Sequence, residues 1–222
     1  DFKYLAVVES GFTHNVSGRG AAGFWQFIPS TAQAFGLVIN EEIDERYHVE
    51  KSTEAACQLL KEAHKTLGNW TLAAASFNIG INGLQRQLER QKASSYYDLV
   101  LNDETSRYVF RVLAMKEILG NPRRYGFIYR KKDLYPPLPS QSISIDSSIT
   151  NLASFAEQVG INYKLLKYFN PWLRSDVLTN PDGKKYSIKI PHSSVKNYDA
   201  LMKMAELEMS NPAVPVSDSL VP

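Results

Sequence analysis

The sequence predicts an α+β chain, a mainly α-helical domain followed by a small β-α-α-β unit. Three observations carry this. Residues 1 to about 120 show apolar residues at helical spacing, interrupted repeatedly by Gly. Arg123 to Lys132 then holds five basic residues and no acidic one, and Pro136, Pro137 and Pro139 follow closely. Beyond them, alternating Ile residues flank two short helical patterns.

Taken in order, Asp1 to Glu9 forms an amphipathic stretch. Ser30-Thr-Ala-Gln33 has the form of a capping box, with Pro29 before it and Gly36 as a stop. Residues 50–67 predict a helix with Ala56, Leu59, Leu60, Ala63 and Leu67 on one face and Gly68 at its end. Trp70 to Phe77 is small and apolar, the composition of a buried helix, and Asn82 to Gln91 is more polar. Asp103 is placed to cap a long helix carrying Tyr108, Val112, Met115 and Leu119, which ends at Gly120-Asn-Pro122. Residues 1–128 are read as one domain and 129–141 as a basic, proline-stiffened linker. Residues 142–192 supply the second unit: Ile143 and Ile145, a helix around Leu152, Phe155 and Ala156, a helix around Leu165, Leu166 and Phe169, then Tyr186, Ile188 and Ile190. Residues 193–222 read as a helix over 197–209 and a proline-containing tail.

Composition bounds the function. The chain has 222 residues with 25 basic and 23 acidic, a net charge of +2, so it has no overall cationic field of the kind that binds nucleic acid. Hydrophobic content of 44% supports a packed core. No apolar run approaches the roughly 20 residues needed to cross a bilayer. Cys57 is the only cysteine, which excludes internal disulfides, and it reads as a small core residue among Ala55, Ala56, Leu59 and Leu60. His14, His48, His64 and His192 are scattered without metal-ligand spacing, so no metal or other cofactor is expected. The chain opens without Met or a signal-like segment and reads as a processed piece, with any targeting or anchoring segment outside it.

Glu9 is the candidate for chemistry. It follows Leu5-Ala-Val-Val8, so its carboxyl sits at the end of an apolar segment. Desolvation there raises a carboxyl pKa and keeps it protonated, as a general acid for glycosidic cleavage requires. Glu9-Ser10 is followed by Gly20-Ala-Ala-Gly-Phe-Trp-Gln-Phe-Ile-Pro29, then Ala74-Ala-Ser-Phe-Asn-Ile-Gly80, then Glu104-Thr-Ser-Arg-Tyr-Val109. In this order and spacing the four elements resemble the family 1 lytic transglycosylases, which have a goose-lysozyme-like catalytic domain, and in particular the membrane-bound type D branch.

The resemblance implies cleavage of the β-1,4 bond between N-acetylmuramic acid and N-acetylglucosamine in peptidoglycan. It implies one Glu as acid and then base, mapped to Glu9, with closure of a 1,6-anhydro ring. It also implies a Ser10 hydrogen bond near Glu9 or the substrate, a Gln26 amide that binds an acetamido group or orients Glu9, Asn78 on the N-acetyl group and Tyr108 directed at Glu9 or the cleaved bond, with Trp25, Phe27 and Phe77 as aromatic surfaces. Phe77 departs from the family's usual Tyr and removes a hydroxyl. Asp44, Glu45 and Glu104 stay open as further acids near the cleft. The implied partner is peptidoglycan glycan strands, met by a monomer in the periplasm or cell envelope of a bacterium, with outer-membrane anchoring through a segment outside the chain.

Leu152-Ala-Ser-Phe-Ala, Gly160-Ile-Asn-Tyr-Lys-Leu-Leu-Lys, Asn170-Pro-Trp-Leu and Tyr186-Ser-Ile-Lys-Ile-Pro191 resemble a LysM module. That implies binding of N-acetylglucosamine chains, with Tyr163 and Trp172 as candidate aromatics. The usual opening loop is replaced by Ile143-Ser-Ile-Asp-Ser-Ser-Ile149, which leaves a packing role open. Two other functions compete: a hydrolysing goose-type muramidase, and a non-catalytic peptidoglycan-binding scaffold.

Overall fold

The structure is a computed structural model that describes residues 1–130, 133–134 and 138–192. The expected helix over 197–209, the tail, and Pro136 and Pro137 lie outside the described residues. Packing divides the chain into two compact units. The first comprises Asp1–Gly126 with Pro171–Ser175, and the second the described residues of 127–170 and 176–192.

The helices of the first unit are α1 (Lys3–Ser10), α2 (Pro29–Ala34), α3 (Val49–Leu67), α4 (Trp70–Ile79), α5 (Ile81–Gln91) and α6 (Asp103–Gly120). Short 3₁₀ turns at Glu45–Tyr47, Tyr96–Asp98 and Pro122–Tyr125 join them. The α4 helix is the hub: it packs on α3, α5 and α6. Its run Ala73-Ala74-Ala75-Ser76 is buried, and such small side chains let three neighbours approach its backbone. Asn69 caps it by accepting the Leu72 N–H at 2.8 Å. Two apolar clusters fill the unit. One joins Leu5, Trp25, Phe27, Ala56, Leu60 and Tyr108; the other joins Leu72, Ala75, Leu84, Tyr96 and Val109.

Several local expectations are corrected. Ser30 does not cap α2. Pro29 is itself the first helical residue and Ile28 precedes it without a side-chain cap. Proline's fixed φ suits that first position, where its missing N–H would have no partner anyway. The cap of α6 is Asn102, which accepts the Thr105 N–H at 2.9 Å, and Asp103 lies inside the helix. Cys57 is exposed, not core: it lies between the buried Ala56 and Leu60 but points off the α3 stripe. On α6 the apolar stripe is buried only through Val112, and Met115 and Leu119 are exposed. Trp172 is buried within the first unit, where the Asp44 N–H donates to its carbonyl at 2.9 Å.

The second unit is the expected β-α-α-β. Strands β1 (Ser140–Ile145) and β2 (Tyr186–Pro191) pair antiparallel, with Ile143 opposite Ile188. Between them lie α7 (Leu152–Gln158) and α8 (Tyr163–Phe169), capped by Asn151 and Asn162. Leu152, Leu166, Leu178 and Ile188 are fully buried. The buried Asn170 ties the end of α8 to β2: its amide donates to Lys189 O at 2.6 Å and accepts the Lys189 N–H at 2.8 Å. A small core is thus supplemented by a side chain completing backbone hydrogen bonds.

The loop Gly20–Phe27 is held from below by Arg46. The buried guanidinium donates to Gly20 O at 2.6 Å and Phe27 O at 3.1 Å, and pairs with Asp44 at 2.7 Å. Gly23 crosses directly above the same residue. A Cβ there would lie 2.0 Å from Arg46 O, at a backbone φ of +79°. Backbone cannot step aside as a flexible side chain can. Gly23→Ala is therefore expected to lower unfolding free energy by about 3 kcal/mol, from the sum of left-handed strain and a forced backbone shift. Gly36 has φ +81° with nothing within 4 Å, so Gly36→Ala isolates the strain alone, about 1 kcal/mol. Urea unfolding of both variants checks the difference; equal losses would mean that the Arg46 contact is soft.

Candidate active site

The site is assembled on the end of α1. That helix stops because Gly11 takes φ 59°, ψ 29° and returns its N–H to Val7 O. Glu9, the last residue but one of the helix, is half-buried. The α6 helix packs against α1, and from it the Tyr108 hydroxyl donates a short hydrogen bond to Glu9 Oε1. Glu9 and Tyr108 are 99 residues apart in the chain, so only the tertiary fold makes the pair.

Burial pushes the Glu9 carboxyl above its ordinary value of 4.5. The Tyr108 hydrogen bond and the Arg111 charge pull the other way, and the Glu104 charge adds to the rise. Burial prevails. The Tyr108 hydroxyl is driven well above its ordinary value of 10.0, first by burial and then by the Glu9 charge. It therefore keeps its proton and serves as a permanent donor to Glu9.

Asn78, near the end of α4, is locked from both sides by α6. Its Nδ2 donates to Glu104 Oε1 at 2.9 Å, and its Oδ1 accepts the Thr105 hydroxyl proton at 2.7 Å. One amide hydrogen and one lone pair remain for a ligand. Gln26 sits at φ +48° on the Gly20–Phe27 loop. Its Nε2 donates to Asn15 O and Gly23 O, both at 2.9 Å, which leaves Oε1 as the outward end of the amide.

Three expectations change in detail. Ser10 gives its proton to backbone, to Phe24 O at 2.8 Å and Ala6 O at 3.2 Å, so it ties the Gly20–Phe27 loop to α1 and offers a ligand only lone pairs. Trp25 and Phe27 are core, 6% and 3% exposed, and present no face for stacking on a sugar. The Trp25 Nε1 donates to Thr53 at 2.9 Å, which explains how an indole is buried there. Phe77 is half-buried, with ring centroids 6.0 Å from Trp25 and 6.1 Å from Phe27. Of the open acids, Asp44 and Glu45 are buried and occupied: Asp44 by Arg46, Glu45 by Lys51 and by the Val38 N–H at 2.8 Å. Glu104 is the one that bears on Glu9 and Asn78.

Sequence reasoning missed Arg46, Thr105 and Arg111. Thr105 and Arg111 flank Tyr108 at helical spacing, which was the available signal. Arg46 lies in a polar loop with no signal at all.

Two outcomes follow from the electrostatics. A carboxyl whose pKa is raised by folding contributes stability below its unfolded value and loses it as pH rises through the folded value. Glu9→Gln is therefore expected to melt higher than the parent at neutral pH, with the gap closing below pH 4.5. Melting curves across that range check the sign. Tyr108→Phe removes the donor that favours the charged carboxylate, so the Glu9 pKa should rise further; an NMR titration of the side-chain carboxyl that moved downward would contradict this account.

Residues 2–100 match the family described as the transglycosylase SLT domain. Residues 141–194 match the soluble lytic transglycosylase C-terminal LysM-like domain. Two curated relatives, each named membrane-bound lytic murein transglycosylase D, from Escherichia coli K12 and Escherichia coli O6:H1, are 34% identical over 188 residues, 82% of this chain. The chain spans 41% of the length of each relative. A helical domain that matches the SLT family, followed in sequence by a β-α-α-β unit that matches the LysM-like family, makes this an SLT-domain protein with a C-terminal LysM-like domain, and the chain belongs with those proteins.

Proposed function

We propose that this chain cleaves the β-1,4 bond between N-acetylmuramic acid and N-acetylglucosamine in peptidoglycan and leaves a 1,6-anhydro-muramoyl end. The observation that carries the reading is the raised proton affinity of Glu9, held by the Tyr108 hydroxyl in a domain of SLT type. The relatives' name, lytic murein transglycosylase, supports the same reaction class.

In this reading protonated Glu9 gives its proton to the glycosidic oxygen as the bond from C1 breaks. The N-acetylglucosamine side leaves with that proton. The Glu9 carboxylate then takes the proton of the muramoyl C6 hydroxyl as O6 bonds to C1. Glu9 ends protonated, and no water is consumed. Tyr108, unable to ionise at working pH, steadies the carboxylate between the two transfers. Asn78 and Gln26 present amide groups of fixed orientation, suited to the N-acetyl and hydroxyl groups of the strand. A monomeric enzyme is part of this reading. Residues 1–128 form its catalytic part, and 142–192 an accessory unit that holds the same strands.

Hydrolysis by a goose-type muramidase is the competing reading, favoured by Glu104, a second carboxylate close enough to act on Glu9. Its oxygen is engaged by Asn78, which suits a positioning role better than activation of water. The substrate places the protein in the cell envelope. The relatives are membrane-bound by name. Among the described residues no helix is long and apolar enough to cross a membrane.

Digestion of purified peptidoglycan followed by mass spectrometry tests the product, since the ring-closed end is one water lighter than the hydrolysed one. Glu9→Gln is expected to lose about 10²–10⁴-fold in rate while still binding strands, because the amide cannot deliver a proton. Retained binding without any parental cleavage would favour a scaffold. Phe77→Tyr adds a hydroxyl at the edge of the core beside Trp25 and Phe27. It should change turnover by less than about tenfold with the fold intact. Activity appearing only in that variant would mark the natural chain as a binder.

A further inference from the structure

Just past Glu9 the chain makes an unexplained choice. Gly11 and Phe12 both adopt left-handed backbone, each at φ 59°. At Gly11 this is free of strain. At Phe12 it is not, and the cheap residues for the conformation would be Gly, Asn or Asp. Nor does burial compensate, because Phe12 is 51% exposed. The turn itself is closed by others: Thr13 donates both its N–H and its hydroxyl proton to Ser10 O. Neither the backbone nor the core asks for an aromatic side chain here.

The ring is nevertheless placed with care. It meets Phe24 edge-on with centroids 5.8 Å apart, and Phe24 stacks in turn on His14 at 4.7 Å. The three rings form a ledge. It is fixed to the residue after the acid, since the Ser10 hydroxyl holds Phe24 O at 2.8 Å. Its outer member is three residues from Glu9 and open to solvent. An exposed, oriented aromatic ring beside a glycan-cleaving acid has the chemistry to pack on a pyranose, because the faces of β-linked sugars carry C–H groups.

We propose that Phe12 is a substrate-contacting residue, an aromatic platform on the Phe12–Phe24–His14 ledge for a sugar ring next to the scissile bond. This rests on the glycan reading of Glu9 and adds a subsite to it. The backbone strain separates a ligand role from a structural one. Phe12→Gly removes the ring and relieves the strain together.

The test measures binding of glycan strands prepared from peptidoglycan, using full-length Glu9→Gln protein so that the ligand survives. Adding Phe12→Gly should weaken binding by about tenfold, the scale of a lost aromatic contact. Its melting temperature should equal or exceed that of the Glu9→Gln parent. Adding Phe12→Tyr instead should preserve affinity. Unchanged affinity in the Gly variant overturns the subsite while leaving the glycan reading intact. So does a melting temperature lowered along with affinity if Phe12→Tyr also binds poorly, since the ring would then be structural. Absence of strand binding by the Glu9→Gln parent would defeat both readings.

Discussion

The site loop of the SLT unit hangs on one guanidinium. Arg46 bonds the carbonyls at both ends of Gly20–Phe27 and balances its charge against Asp44. A charge buried this deeply destabilises unless every donor is met. Here the donors are met by the acceptors that most need partners, loop carbonyls removed from water. An apolar side chain of equal size would fill the space and orphan both carbonyls. Gly23 closes the arrangement from above, and only a residue without Cβ fits over Arg46 O. The orientation of Gln26 is a consequence, because its amide donates to Gly23 O and Asn15 O on that same loop. Polar satisfaction, more than apolar packing, gives this loop its shape.

The second organiser is α6. Along one stretch it carries Glu104 and Thr105, which lock Asn78, then Tyr108, which holds Glu9, then Arg111, whose charge reaches Glu9. The proton affinity of Glu9 is the resultant of these neighbours and of burial. Desolvation alone would give a stubborn acid that is slow to reionise. Tyr108 donation alone would hold the carboxyl below its ordinary value. That opposition is what the proposed mechanism, with one group acting first as acid and then as base, draws on. A change in how α1 and α6 pack would alter the donor distance and the burial together.

Much of this was legible in the residues. Gly68, Gly120 and Pro122 marked helix ends because backbone conformation is a local property, and the Ile143–Ile145 and Tyr186–Ile190 alternations marked strands. Glu9 and Tyr108, which a hydrogen bond joins across 99 residues, were both singled out in the sequence. What failed was whatever depends on position in three dimensions. The Ser30–Gln33 pattern is a sound capping box in isolation, yet Pro29 had already started the helix. Asn102 and Asp103 are adjacent and both competent to cap, so sequence alone could not choose. Cys57 sits among core residues in the chain but on the wrong side of the helix. Met115 and Leu119 keep the period of a buried stripe past Val112, where the structure leaves them exposed. Arg46 looked like one more charge in a loop, because its acceptors are backbone atoms 19 and 26 residues away.

Strain has an address in this molecule. Among the described residues, three other than Gly hold positive φ: Phe12, Gln26 and Lys92. Lys92 ends α5, where a left-handed residue is a common way to close a helix. Gln26 is repaid by two hydrogen bonds that hold its amide in place. Phe12 receives one edge contact and stays half-exposed. Two of the three strained positions thus lie on the segments that flank Glu9, and the Ser10 bond to Phe24 O fastens those segments to each other. Strain that persists beside a reactive group, where a cheaper residue was available, points to a demand made by something outside the folded chain. For Gln26 that demand is an amide held in one orientation. For Phe12 it is a ring held in the open, and a sugar face is the partner whose chemistry matches it.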